Sequence, residues 1–425
     1  MRTHRDGLLQ HSLILMAATQ VGNVANLLFH VVMGRQLDPP EYGVLSAMLG
    51  IILIIATPMD ALRVAMAHYT ALLVQGGKIQ AVPHLMRRWS RNLAIPTLLA
   101  LVAGILLSGR IAGFFHLDDV APVVLMCFIL AGGLLMPILI GALQGLQSFL
   151  WMSASQHIWG VVRLIAGALF VMVIAATAEW GLVGQMLGVW ASVVVGVWGL
   201  RWNIRGPRSV EERVTGVTRY FIRSLLILAG FAVLMNADVV MVKHFFPDAH
   251  EAGLFARAAT IGRTMVFLTM PIALAMFPKV ASAGTTDPHN WKTLVSAIVY
   301  VGVILVAAAG LCAFFAWVPL LILYNDRAPT PEMIRLVRWV VCAMAPMGLT
   351  YLLTNFQIAQ RRFKPAYVLL ACAAGYVAGV TFFHETVWQV VLVLGIVSTL
   401  SAVVLIAGLP WRQTGGSTSI VSDQP

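Results

Sequence analysis

A chain of 425 residues with 60% hydrophobic and only 11% charged residues is not an ordinary soluble domain, which carries roughly 25% charged residues. Its mean hydropathy is +0.86 and its net charge is +11. The four cysteines, Cys127, Cys312, Cys342 and Cys372, all fall within apolar runs and show no CxxC spacing, which argues against a disulfide framework or a metal site and for helix packing.

In hydrocarbon every backbone polar group needs an internal partner, so apolar runs of about 20 residues predict membrane-spanning helices. Such runs recur at 8–32, 43–66, 92–113, 120–143, 155–176, 181–200, 220–243, 254–278, 293–317, 334–357, 365–383 and 387–409. The expected fold class is an all-α polytopic membrane protein with about twelve transmembrane helices.

Span 1 carries Gln20, Asn23 and Asn26 at a spacing of three, then His30, a polar stripe on an otherwise apolar helix. It lacks the short apolar core and small-residue cleavage site of a signal peptide and reads as a permanent span. Its asparagines either line a cavity or hydrogen-bond a neighbouring helix. Span 2 holds Asp60 and Arg63, which share one helix face. Span 5 holds Arg163, roughly 12 Å from its start. Span 7 holds Asn236 and Asp238, with Arg223 near its beginning. Span 8 holds Arg257 and Arg263, the second roughly 14 Å deep, and span 10 holds Arg335 and Arg338. Pro58, Pro137, Pro271 and Pro346 lie inside spans and predict kinks. Trp151, Trp180, Trp202, Trp317 and Trp388 fall near span ends, as an interfacial belt would, while Trp159 and Trp190 lie deeper.

An ionisable side chain at the bilayer centre costs about 2.5–3.5 kcal/mol and usually faces a partner or a water-filled cavity. Arginines outnumber carboxylates at these positions. A guanidinium-rich cavity suits a phosphate or diphosphate, which arginine binds in fork geometry. Candidate cavity residues are therefore Arg63, Arg163, Arg263, Asp60, Asn23, Asn26 and Asn236, with Asp238 a candidate ion site. The competing reading is an internal Asp60–Arg63 pair plus arginines that reach for lipid headgroups. No GxSxG, P-loop, HExxH or Cys/His cluster is present, so catalysis, a cofactor and a metal are not expected.

Basic residues mark alternate loops: Arg2 and Arg5; Lys78, Arg87, Arg88 and Arg91; Arg201, Arg205, Arg208, Arg213 and Arg219; Arg361, Arg362 and Lys364. The opposite loops carry Asp38, Glu41, Asp118, Asp119, Glu179, Asp248 and Glu251. The positive-inside rule then places both termini in the cytoplasm. Dispersal of the basic residues over short loops argues against nucleic acid as a partner.

The chain also repeats itself. Gln144-Gly-Leu-Gln147 and Gln357-Ile-Ala-Gln360 each follow an apolar run, 213 residues apart (357 − 144), and the same offset relates Pro58 to Pro271 and Asn23 to Asn236, while the offset of 210 (253 − 43) between the Glu-x-Gly turns pairs Asn236 with Asn26 instead. The turns after spans 1 and 7 are both acidic, contain proline and end Glu-x-Gly, at Glu41-Tyr42-Gly43 and Glu251-Ala252-Gly253. Six spans per half is an even number, so the halves are parallel repeats. The expected organisation is a six-helix bundle over 1–200, a basic cytoplasmic linker over 201–219, a second six-helix bundle over 220–410 and a disordered cytoplasmic tail over 411–425.

The segment from Asn26 through Gly34-Arg-Gln-Leu-Asp-Pro-Pro-Glu-Tyr-Gly43, the Gln144-Gly-Leu-Gln147 turn and the Glu251-Ala-Gly-Leu254 turn resemble the polysaccharide and oligosaccharide–lipid flippases of the multidrug/oligosaccharidyl-lipid/polysaccharide exporter superfamily. The two-half layout matches over the whole chain. The resemblance implies transfer of an undecaprenyl-diphosphate-linked glycan across a bacterial inner membrane, with membrane lipid, glycan polymerases or glycosyltransferases as partners. Related lipid II flippases use arginines of early spans and span 8, to which Arg63 and Arg263 would correspond. Span 1 here lacks a mid-depth arginine and spans 13 and 14 are missing, which argues against lipid II itself. The rival readings are a cation-coupled multidrug exporter and, from another class, a membrane glycan polymerase or ligase, which the short outer loops disfavour.

Overall fold

The computed structural model describes residues 2–203, 217–282, 289–360 and 365–409. Fourteen α-helices and a single 3-10 turn make up its regular structure, with no strand among the described residues. The first seven are α1 (Arg2–Gln36), α2 (Pro39–Gln75), α3 (Val82–Leu106), α4 (Ser108–Phe114), α5 (Ala121–Gly145), α6 (Phe149–Val173) and α7 (Ala178–Asn203). The other seven are α8 (Val217–Phe245), α9 (Ala249–Ser282), α10 (His289–Phe315), α11 (Trp317–Tyr324), α12 (Pro331–Ala359), α13 (Pro365–Phe382) and α14 (Val387–Ala407). Twelve of these helices have at least 18 residues, one for each predicted span. Nine described helices are long and apolar enough to cross a membrane, so the all-α polytopic fold follows from the structure as well.

Two spans differ from expectation. The third predicted run breaks between α3 and the short α4, and the ninth breaks between α10 and the short α11. Each short helix hands the chain to a left-handed residue within two positions, His116 (φ 51°) and Asn325 (φ 54°). Pro319, near the start of α11, lacks the N–H that a continuous helix would need there, which favours a new start.

Packing repeats along with sequence. Helix α1 lies on α6, α2 on α5, α3 on α5, α5 on α7, and α6 on α7. In the same order α8 lies on α13, α9 on α12, α10 on α12, α12 on α14, and α13 on α14. Small residues permit this closeness. A Cβ on Gly184 of α7 would come within 2.6 Å of Gly167 of α6, so only glycine fits that crossing. Helices α3 and α10 form the rim, with 0% and 11% of their apolar windows buried.

The two sets of helices join mainly through α2, which packs on both α8 and α9, and through α1 against α11. Contact is dense at the end that carries the α1–α2 and α8–α9 turns, here termed the turn end. Gly43 and Gly253 meet there. Arg257 donates to the Leu37 carbonyl at 2.9 Å, Arg35 donates to the Ile322 carbonyl at 2.6 Å, and Tyr42 donates to Thr260 at 3.1 Å. Tyr324 donates to the Arg257 carbonyl at 3.1 Å, and the His244 ring stacks on Phe114 at 3.5 Å. Arg257 thus turns into the protein rather than toward headgroups. The linker at 204–216, the loop at 361–364 and the tail from 410 onward lie outside the described residues, as does the Arg223 side chain.

Candidate functional site

A cavity of about 370 Å³ opens among α1, α2, α5, α6 and α7. Asn23, Asn26, Asp60 and Arg63 line it, as do Gln185 and His157. The polar stripe of α1 and the charged face of α2 therefore look into one space. Pro137 of α5 also lines that space.

On α2, Arg63 donates through Nε to Asp60 Oδ1 at 3.0 Å, one turn away. Its Nη1 donates to Gln144 Oε1 at 3.2 Å, so the glutamine of the turn motif holds the same guanidinium. The pair is partly open, with 28% of the Arg63 and 52% of the Asp60 side chain exposed. Charge on this face is locally balanced.

Arg163 is different. It lies one layer behind the cavity and is 4% exposed. Nη1 donates to Gln185 Oε1 at 2.8 Å and Nη2 donates to Asn26 Oδ1. The guanidinium carbon stands 3.9 Å from the Phe29 ring centroid and 5.0 Å from that of Trp159. Among the described residues no carboxylate pairs with it, and its Nε has no hydrogen-bond partner. Two neutral amides and two aromatic faces thus surround a positive charge. Both amides also touch the cavity, so they relay that charge to the cavity wall.

Arg263, Asp238 and Asn236 belong to a second cluster, on α8 and α9, and do not line this cavity. Arg263 donates to Asp238 Oδ1 at 2.6 Å and to the Met235 carbonyl at 3.1 Å. Asp238 is fully buried, and its Oδ2 has no hydrogen-bond partner among the described residues. The Tyr376 hydroxyl, also buried without such a partner, stands within electrostatic reach of both. Asn236 turns back to the Ala232 carbonyl at 3.0 Å. Between the clusters sits His30 of α1, within electrostatic reach of Arg163 and Arg263 alike and 3.4 Å from the Tyr42 hydroxyl. Arg335 lies away from both clusters, 4.9 Å from the Trp388 ring centroid.

Gln185 joins this group through Arg163, and its sequence signal is the one that marks Arg163, a polar side chain within an apolar run. Trp159, one of the two tryptophans that lie deeper than the belt, turns its ring to the Arg163 guanidinium.

The sequence matches no family model and no curated protein. Solved structures do resemble the fold. An inward-facing multidrug resistance MATE family transporter of the MOP superfamily is 12% identical, with 93% of this chain and 96% of that one covered, at a TM-score of 0.69. The lipid II flippase MurJ in an inward closed conformation is 12% identical over 94% of this chain and 89% of that one, at 0.67. An outward-facing MATE family transporter of the MOP superfamily is 14% identical over 94% and 93%, at 0.59. At these identities the likeness is one of fold: the chain is built like the transporters of the MOP superfamily.

Proposed function

We propose that this protein is a transporter of that superfamily which flips a lipid-linked oligosaccharide, carried on undecaprenyl diphosphate, across a bacterial inner membrane by alternating access. The observation that carries the reading is Arg163, a buried guanidinium with amide partners and no carboxylate partner among the described residues, one layer behind the cavity. A buried cation without a counter-ion is costly, and an anionic group in the cavity would compensate it. A diphosphate would take hydrogen bonds from Arg63 and the amides of Asn23 and Asn26, while its charge satisfies Arg163. The prenyl chain stays in lipid between the two halves, 1–200 and 220–410. With both termini cytoplasmic, the turn end faces outward, and its seal corresponds to an inward-facing state. Asp238, with one oxygen free of Arg263, is the place for a coupling cation.

Deletion of the gene tests this reading. A lipid-linked oligosaccharide should accumulate on the cytoplasmic leaflet and surface glycan should fall. Complementation with the native gene should restore the glycan, whereas Arg163→Ala should not. A second reading, a cation-coupled drug exporter, draws on the MATE-like fold and on Asp60 at the cavity. It predicts a drug-sensitive deletion strain with a normal glycan coat.

A further inference from the structure

Helix α10 is a rim helix with few buried positions, and on such a helix hydrocarbon side chains should cover the outside. One stripe does not obey. Lys292, Thr293, Ser296 and Tyr300 follow one another along α10 at positions that fall on one side of the helix. They line a groove of about 540 Å³, whose other wall is the Pro271–Met276 stretch of α9. Lys292 and Ser296 are exposed, and Tyr300 is 65% exposed. Tyr300 lies seven positions into the apolar run that begins at 293, about 10 Å along the helix axis.

The exposed hydroxyls of Ser296 and Tyr300 are unfavourable on a membrane-facing surface unless something polar meets them, and Lys292 stands just before the apolar run that begins at 293. Thr293, Ser296 and Tyr300 continue the polar line from Lys292, while Pro271, Ile272 and Met276 offer an apolar wall beside it. Among the described residues no acidic side chain lines the groove, and the one charge there, that of Lys292, calls for an anion. Polar and apolar features lie side by side along the bilayer normal, which is the pattern of a lipid with a charged head. We infer that the α9–α10 groove holds one anionic phospholipid of the surrounding membrane, its phosphate at Lys292 and Ser296 and an acyl chain against Pro271 and Met276. The occupant would brace α9, the helix that carries Arg257 and Arg263. This site is separate from the α1–α7 cavity and does not depend on what the protein transports.

Native mass spectrometry of the full chain, with phosphatidylglycerol or phosphatidylcholine supplied, reads this directly. Wild-type protein should retain one more phosphatidylglycerol than Lys292→Gln under equal collision energy. A lysine near an anionic lipid surface contributes about 1 kcal/mol, so the affinity of that lipid should fall about fivefold. Lys292→Arg should restore it, and Ser296→Leu should weaken it independently. Equal phosphatidylglycerol retention by wild type and both weakening variants overturns the proposal. So does equal retention of phosphatidylcholine at this site, or a second copy of the chain in place of the lipid.

Discussion

Gly43 and Gly253, which occupy matching positions in the two Glu-x-Gly turns, pack directly against each other across the two sets of helices. A Cβ on Gly43 would lie 3.1 Å from Gly253 Cα, and a Cβ on Gly253 would lie 1.8 Å from the Pro39 carbonyl oxygen. The clash is with backbone, so no side-chain rotation relieves it. The turn end can close only because both repeats place glycine at the point where they touch.

Gly253→Ala should therefore disfavour the sealed arrangement. Overpacking a close contact costs about 1–3 kcal/mol, a shift of about fivefold to 150-fold in the sealed population if the open state tolerates the methyl. Electron–electron distances between spin labels at Asp119→Cys and Asp248→Cys should lengthen in the variant. Unchanged distance distributions would refute the role assigned to this contact.

Tyr324 should behave as a bolt in the same seal. Its hydroxyl donates to the Arg257 carbonyl at 3.1 Å and stands 3.4 Å from the Tyr42 hydroxyl, and the two rings meet edge to face at 5.5 Å. Tyr324→Phe keeps the ring contact and removes the hydrogen bonds, worth about 0.5–1.5 kcal/mol each. A smaller opening than with Gly253→Ala is expected in the same label pair. Arg257→Ala should also open the seal, because the Leu37 carbonyl then loses a charged donor, and the two substitutions together should open it by less than the sum of their separate effects. Strict additivity of the two substitutions would show that Tyr324 and Arg257 do not act as one network.

Much of this architecture is legible in composition and period, and the reasons are local. Twelve apolar runs become twelve long helices because a membrane leaves the backbone no other solution. Asp60 and Arg63 can be read as a pair because a three-residue spacing fixes their relative position on a helix. Arg163 cannot be resolved that way. Its partners come from 137 residues before it and 22 after, and helical period gives the face of a residue but not the helix opposite. The same gap hides Arg257, which depth alone cannot assign to a headgroup or to the carbonyls of α1. The break between α3 and α4 has no proline to announce it, and Ser108-Gly109 is a weak signal in an apolar run.

Asp238 and Arg263 should be strongly interdependent. The aspartate is fully buried and the arginine largely so, at 2.6 Å. Removing one partner of a buried pair strands the other charge, at about 3–5 kcal/mol. Asp238→Ala alone should lower stability by that order, and Asp238→Ala with Arg263→Met should recover most of the loss. Thermal unfolding in detergent would measure both. A double variant as unstable as the sum of the singles would show that the pair is not what Asp238 supplies.

Arg163 allows the sharpest separation of stability from function. Its charge is buried among Phe29, Trp159, Asn26 and Gln185, with no carboxylate among the described residues to offset it. A lone buried charge carries a desolvation penalty that no ion-pair attraction repays, and an apolar side chain of similar length removes that penalty. Arg163→Met should therefore unfold at the same or a higher temperature than the native protein, despite losing two hydrogen bonds. Inorganic diphosphate should stabilise the native protein against heat and leave the methionine variant unmoved. A structural arginine predicts the opposite pattern: a less stable variant that still responds to diphosphate. Arg163→Lys places an ammonium near the same spot without the planar fork that reaches Gln185 and Asn26 together, so it should keep a weakened response. If the methionine variant also restores surface glycan to a deletion strain, the charge at this position is not what the cavity uses.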